Sequence, residues 1–332
     1  MCLYPKLIKN RKYVPNKKNN GNPPTCTDNR VLYVPVGCQK CIECKNQKAR
    51  AWGVRLHEEI KTDKTGKFVT LTFSNESIRH ITQEIAKEND GIIPEGYIMD
   101  NEIATMAVRR FLERWRKKHK VSVKHWLITE IGQGKNWKYQ GTENIHLHGI
   151  IWTDNVEDIK KIWQYGFIFT GKYVNESTMN YITKYITKVD KLHKEYQPKI
   201  LTSAGIGKNY TNTLNARDNK YNTEKETKET YTMKDGIKIN LPIYYRNKIY
   251  TETERENLWI QKIDKGIRWV MGSQTKDINQ YFKLLIQARH KNKRLGYGDD
   301  TKNWDRIKYE NQLRKINLEK RINKANLAET KQ

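Results

Sequence analysis

The chain has 332 residues and a formal charge of +26, from 63 Lys and Arg against 37 Asp and Glu. So large an excess points to a polyanionic partner, because each neutralised phosphate releases counterions. Its 19 Tyr, 9 Trp and 6 Phe argue against wholesale disorder, and the lack of an 18-residue apolar run or a signal-peptide pattern argues against a membrane or secretory reading, leaving a soluble, cytoplasmic, nucleic-acid-facing protein.

Residues 1–50 are rich in Pro, Asn, Lys and Cys, with little periodicity, and read as irregular structure needing a staple. All five cysteines lie here: Cys2, Cys26, Cys38, Cys41 and Cys44. An odd number clustered so tightly does not read as a secreted disulfide framework. Cys38, Cys41 and Cys44 form C-x2-C-x2-C, which suits a structural zinc in a segment without its own core. Cys26 is taken into the candidate set as fourth ligand, with Cys2 and His57 as alternatives. An iron–sulfur cluster shares such spacing, and three free buried thiols are the bland reading.

Ala49, Trp52, Leu56 and Ile60 then recur at helical spacing. "TGKFVTLTFSN" alternates, with Val69, Leu71 and Phe73 on one face and Phe68, Thr70 and Thr72 on the other, so a strand follows the turn at Lys64-Thr65-Gly66. Ile103, Met106, Ala107, Phe111 and Trp115 mark an amphipathic helix whose basic outer face carries Arg109, Arg110 and Arg114, candidates for DNA contact. "VKHWLITE" is a strand with Trp126, Ile128 and Glu130 on one face. After a loop rich in Gly, Lys and Asn comes "NIHLHGIIW", whose period of two turns His146 and His148 the same way. "NVEDIKKIWQYG" reads as a helix capped by Asn155, and "GFIFTG" as a short strand followed by Lys172, a further candidate for DNA contact. "NESTMNYITKYITKVDKL" reads as a helix from Glu176 to Leu192. The order β-α-β-β-α-β, then a helix, predicts an α+β domain with an antiparallel sheet and helices on one face.

Beyond residue 200 the character changes. Residues 207–235 are polar and read as loop or partly disordered, "INLPIYYRNKIY" as a segment docking back on a core, and 252–332 as charged helix. The expected division is 1–60, 61–200 and 201–332, the last a basic, helical extension.

Two imidazoles on one face of a strand can hold a divalent metal, and Glu130 could join them if its strand is the neighbour. Glu143, nearer in sequence, falls in the loop. The bland reading is a polar strand face with a solvated carboxylate. Tyr181 and Tyr185 lie one helical turn apart, each with a lysine three residues on, Lys184 and Lys188. Lysine beside a phenol stabilises phenolate or pairs with a phosphate under attack. An ordinary buried aromatic stripe with snorkelling lysines is the alternative.

In order, "FVTLTFSN", "HLHG" and "YITKYITK" resemble the three motifs of the HUH endonucleases of rolling-circle replication, in their two-tyrosine branch. "VGCQKCIECKNQKARAW", "LITEIGQG", "AGIGKNY" and "LPIYYRNKIY" are similar to segments of the replication initiators of microviruses, the small single-stranded DNA bacteriophages. The resemblance spans roughly residues 1–250. It implies an HUH core of RRM or ferredoxin-like type, with Mg²⁺ or Mn²⁺ held by His146, His148 and Glu130, and Tyr181 and Tyr185 as nucleophiles assisted by Lys184 and Lys188. The implied substrate is single-stranded origin DNA, in the host bacterial cytoplasm. No G-x4-G-K-[ST] loop is present, so a host helicase and replisome are implied as partners. The competing classes are a non-catalytic nucleic-acid binder, whose tyrosines stack bases, and a zinc hydrolase, which an H-E-x-x-H pattern would have favoured.

Overall fold

The computed structural model describes residues 1–132, 143–233, 236–299 and 304–329. Most of the loop expected between Glu130 and His146 lies outside the described residues. Two compact units interleave along the chain, Met1–Arg55 with Gly207–Thr301, and Leu56–Ile206 with Lys302–Gln332. The expected three consecutive segments are thus recut, because the first 55 residues and those after 207 build common apolar clusters.

In chain order, β1 (Lys6–Lys9) pairs antiparallel with β2 (Tyr33–Val36), and α1 (Ile42–Thr62) follows. The second unit then runs β3 (Gly66–Leu71), α2 (Asn75–Glu88), α3 (Gly96–His119), β4 (Lys124–Ile131), β5 (Ile145–Trp152), α4 (Val156–Ile162), β6 (Ile168–Thr170), α5 (Glu176–Thr187) and β7 (Ile200–Thr202). Its five strands form one antiparallel sheet in the order β6-β3-β5-β4-β7. The first unit resumes with α6 (Leu214–Arg217), the hairpin β8 (Thr230–Thr232) and β9 (Lys238–Asn240), α7 (Ile243–Ile249), α8 (Glu252–Lys265), the hairpin β10 (Arg268–Val270) and β11 (Ser273–Thr275), and α9 (Ile278–Arg294). The chain returns to the second unit with α10 (Trp304–Glu329).

The sheet has two different faces. Val69 and Leu71, Leu127 and Ile131, and Ile145, Leu147 and Ile151 point to one side and pack in a single cluster with Ile78, Ile81 and Ile85 of α2 and Ile103, Ala107, Phe111 and Trp115 of α3. The alternation in the sequence therefore translates directly into a buried face. Phe68, Thr70, Trp126, Ile128, Glu130, His146 and His148 take the opposite face, where α5 packs near β4. Among the described residues no helix is long and apolar enough to cross a membrane.

Several expectations change. Helix α2 was missed, although Ser74 caps it by accepting from the Ser77 amide and its isoleucines have helical spacing. A fifth strand, β7, extends the sheet. Asn155 stands before α4 but makes no side-chain cap. Helix α5 ends at Thr187 rather than near Leu192, because Lys188 turns to extended ψ and Asp190 accepts from the Leu192 and His193 amides in a turn. Residues 207–233 are folded. Tyr210 donates to Asn219, whose amide donates to the Lys228 and Thr230 carbonyls, and Tyr210, Tyr231 and Tyr245 are buried together. Polar composition hid this because a single buried Asn pins the loop.

Gly149, between the histidine strand's two neighbours, pairs Val69 and Leu127. A Cβ there would stand 2.0 Å from the Trp126 carbonyl oxygen and 2.8 Å from the Leu127 Cα. Because the obstacle is backbone, the strands themselves would have to separate. Gly149→Ala is expected to cost about 3 kcal/mol, the upper range for overpacking. Urea unfolding would measure it, and an unchanged midpoint would show that β4 and β5 tolerate the shift.

Candidate active site

Antiparallel register places Glu130 opposite His146 and Ile128 opposite His148. The Glu130 Oε2 therefore lies 3.0 Å from His146 Nε2 and 2.9 Å from His148 Nε2. The other nitrogen of each ring has its own partner. His148 Nδ1 is 3.1 Å from the Thr70 hydroxyl on the neighbouring strand, and His146 Nδ1 is 3.4 Å from the Asn144 carbonyl. With Nδ1–H donating outward on both rings, the Nε2 lone pairs and a carboxylate oxygen converge on one point. That arrangement suits a cation, and outward hydrogen bonds of this kind orient metal-bound imidazoles.

The electrostatics agree. Burial alone would raise the Glu130 carboxyl, but hydrogen bonds from His146, His148 and Lys188 outweigh it and hold the group well below the usual carboxylate range. Burial pushes the His148 imidazole below its ordinary value, against the pull of Glu130, which favours the neutral ligand form. The Lys188 ammonium contacts Glu130 Oε1 and supplies positive charge to the cluster. Two histidines and one carboxylate fit a divalent ion while leaving coordination positions for substrate oxygens.

Helix α5 presents the tyrosines to this cluster. Its Asn175 capping box fixes the start, and Met179, Ile182 and Ile186 bury one side. Tyr185 stacks on His148 with ring centroids 4.5 Å apart and planes 8° from parallel. Its hydroxyl is 2.7 Å from that of Tyr181. Tyr181 packs edge-on against Phe68 yet remains 48% exposed. Burial, the Tyr181 hydrogen bond and the Glu130 charge all raise the Tyr185 phenol above its ordinary value. The two phenols, expected to be near equivalents, thus occupy different environments. Lys184 is exposed, and among the described residues its ammonium has no partner, whereas Lys188 sits on Glu130.

Residues 66–190 match the family model described as replication-associated protein ORF2. Over 254 residues the chain is 27% identical to the replication-associated protein ORF2 of Spiroplasma virus 4, covering 69% of this chain and 72% of that protein. No solved structure matches the chain. The span matched by the family contains Glu130, both histidines, both tyrosines and Lys188, and excludes every cysteine.

The other candidates are not at this cluster. Arg109 donates to Glu88, Arg110 to Glu88 and Glu113, and Arg114 to the Ile162 carbonyl and Gln164. All three belong to α3, which covers the sheet face opposite the histidines, so their charges are spent in local pairs. Lys172 is exposed beyond the edge strand β6. The fourth cysteine is corrected. Cys26 donates to the Asp28 carbonyl, while Cys2 joins Cys38, Cys41 and Cys44. His57 lies 3.7 Å from Glu176 instead.

Sequence reading missed the support behind His146. The buried Arg314 of α10 binds both oxygens of Asp100 at 2.8 Å, the Glu143 carboxylate at 2.9 Å and the Glu143 carbonyl at 2.6 Å. Arg321 donates to Asn144 at 2.6 Å. Helix α10 thereby holds the two residues that lead into β5 and the carbonyl that orients His146. A charged helix read from composition carried no signal of this role. Arg314→Met would leave the Asp100 carboxylate buried without a counter-charge, a loss of about 3–5 kcal/mol. Thermal unfolding should register it, and Arg314→Met combined with Asp100→Leu should recover part. If the single variant melts like wild type, the clasp contributes nothing.

Proposed function

We propose that the chain is a replication initiator of rolling-circle type, an HUH endonuclease and ligase acting on single-stranded origin DNA. The observation that carries this reading is the stacking of Tyr185 on His148, which puts a pair of hydrogen-bonded phenols beside a His-His-Glu cluster. Similarity to replication-associated proteins supports the biological setting, phage DNA replication in the host bacterial cytoplasm with a host helicase and replisome.

Glu130, His146 and His148 would hold Mg²⁺ or Mn²⁺, which supplies charge stabilisation to the scissile phosphate. Tyr185, whose phenol retains its proton, donates to the Tyr181 oxygen and favours its deprotonation. The Tyr181 oxygen attacks phosphorus in line, the bond to the 3′ oxygen breaks, and the phosphotyrosine keeps the 5′ phosphate. The 3′ oxygen takes a proton and becomes the primer end. One phosphodiester replaces another, so the reverse reaction, attack by a 3′ hydroxyl, rejoins a strand. A second tyrosine permits a further cut while the first is occupied. Lys188 offers positive charge near the phosphate.

Incubating the full chain with a single-stranded DNA library and Mn²⁺, then running denaturing electrophoresis, should reveal a covalent protein–DNA band. Tyr181→Phe should lower first cleavage more than Tyr185→Phe, and the double variant should form no adduct. An adduct surviving in the double variant would overturn the assignment of the nucleophile. His146→Ala and His148→Ala should each reduce nicking by about 100-fold or more while leaving salt-sensitive DNA binding nearly unchanged. A non-catalytic binder predicts no band under any of these conditions.

A further inference from the structure

We propose that Cys2, Cys38, Cys41 and Cys44 form a structural zinc site in the first unit, separate from the His-His-Glu cluster. Their four sulfurs all lie within 4.8 Å of one another. A tetrahedral zinc with Zn–S near 2.3 Å sets its sulfurs about 3.8 Å apart; Cys2 Sγ and Cys41 Sγ are 3.9 Å apart. A disulfide would need about 2.05 Å, and all five cysteines are free thiols. An iron–sulfur cluster interposes several irons and sulfides and spreads its ligands more widely.

The surroundings suit thiolates. The Tyr4 amide donates to Cys2 Sγ at 3.3 Å, the Cys38 amide to Cys2 Sγ at 3.2 Å, and the Cys41 amide to Cys38 Sγ at 3.3 Å. Backbone donors aimed at sulfur favour its negative form and orient it, as outer hydrogen bonds do around metal ligands. Helix α1 begins at Ile42, so the positive end of its dipole lies beside Cys41 and Cys44. Gly37 is needed for the fit, since a Cβ there would come within 2.9 Å of Cys44 Sγ.

The site also has a structural task. The apolar cluster around it is small, with Leu3, Ile42, Val270, Leu285 and Ala288 beside the cysteines. Leu3 is held from α9 by Arg289, which donates to its carbonyl at 3.0 Å, and the Ile42 amide donates to Asn292 at 2.8 Å. Zinc would bind Cys2 to the start of α1 with release of the thiol protons, closing a loop of about forty residues that has little core of its own.

The test uses the full chain expressed in zinc-supplemented medium. Elemental analysis after gel filtration should give one tightly held zinc per chain, retained by the His146→Ala/His148→Ala variant and by Cys26→Ser. Modification of the wild-type thiols with a mercurial should release that zinc in step with loss of four thiols. Cobalt substitution should give the intense thiolate charge-transfer and tetrahedral ligand-field bands of a four-sulfur site. Cys2→Ser should release zinc to a chelator at least tenfold faster. Wild-type protein that carries no zinc, zinc lost with the histidines, iron with labile sulfide, or equal effects of Cys2→Ser and Cys26→Ser would each overturn the proposal. Because metal content is read on the wild-type chain, a variant that fails to fold does not protect it.

Discussion

The register between β4 and β5 is the constraint on which the site depends. A slip of one residue would turn Glu130 to the face that packs on α2 and α3, away from both imidazoles. The apolar residues prevent this. Leu127, Ile131, Ile145, Leu147 and Ile151 all belong to one buried cluster, and any slip would expose them together. Gly149 adds a steric lock, because its close approach to the Trp126 carbonyl leaves no room for a side chain. The charge cluster on one face is therefore held in register by hydrophobic packing on the other.

That division of labour explains how a carboxylate and two histidines coexist half-buried. A lone carboxylate here would be penalised by burial. Two imidazoles and the Lys188 ammonium compensate it, and Thr70 and Asn144 orient the rings. Neighbouring strands and α5 all contribute, so the geometry is a property of the sheet rather than of any single motif. Helix α10 extends the same support outward through Arg314 and Arg321.

The two units meet stability in different ways. The sheet unit buries a continuous apolar layer under two long helices. The other is built from short strands and hairpins, with a tyrosine-rich cluster and the smaller cluster at the cysteines. Small cores with long irregular connections gain most from cross-links.

The sequence by itself determined the elements whose periodicity is strong. Val69 and Leu71, the Ile103–Trp115 stripe, and the shared face of His146 and His148 all follow from repeats of 2 and 3.6, which are local properties of the backbone. It also determined that Tyr181 and Tyr185 lie on one helical face. Only the tertiary structure decided which strands are neighbours, and hence that Glu130 rather than Glu143 meets the histidines. Glu143 instead bonds Arg314, 171 residues away. The same holds for Cys2, which replaces Cys26 because β1 and β2 pair antiparallel and bring the chain's start back to α1. It also holds for Arg109, Arg110 and Arg114, whose basic stripe was visible but whose acidic partners Glu88 and Glu113 were not. Pairing across a sheet and closure of long loops are set by the packing of distant segments, and no local pattern of residues encodes them.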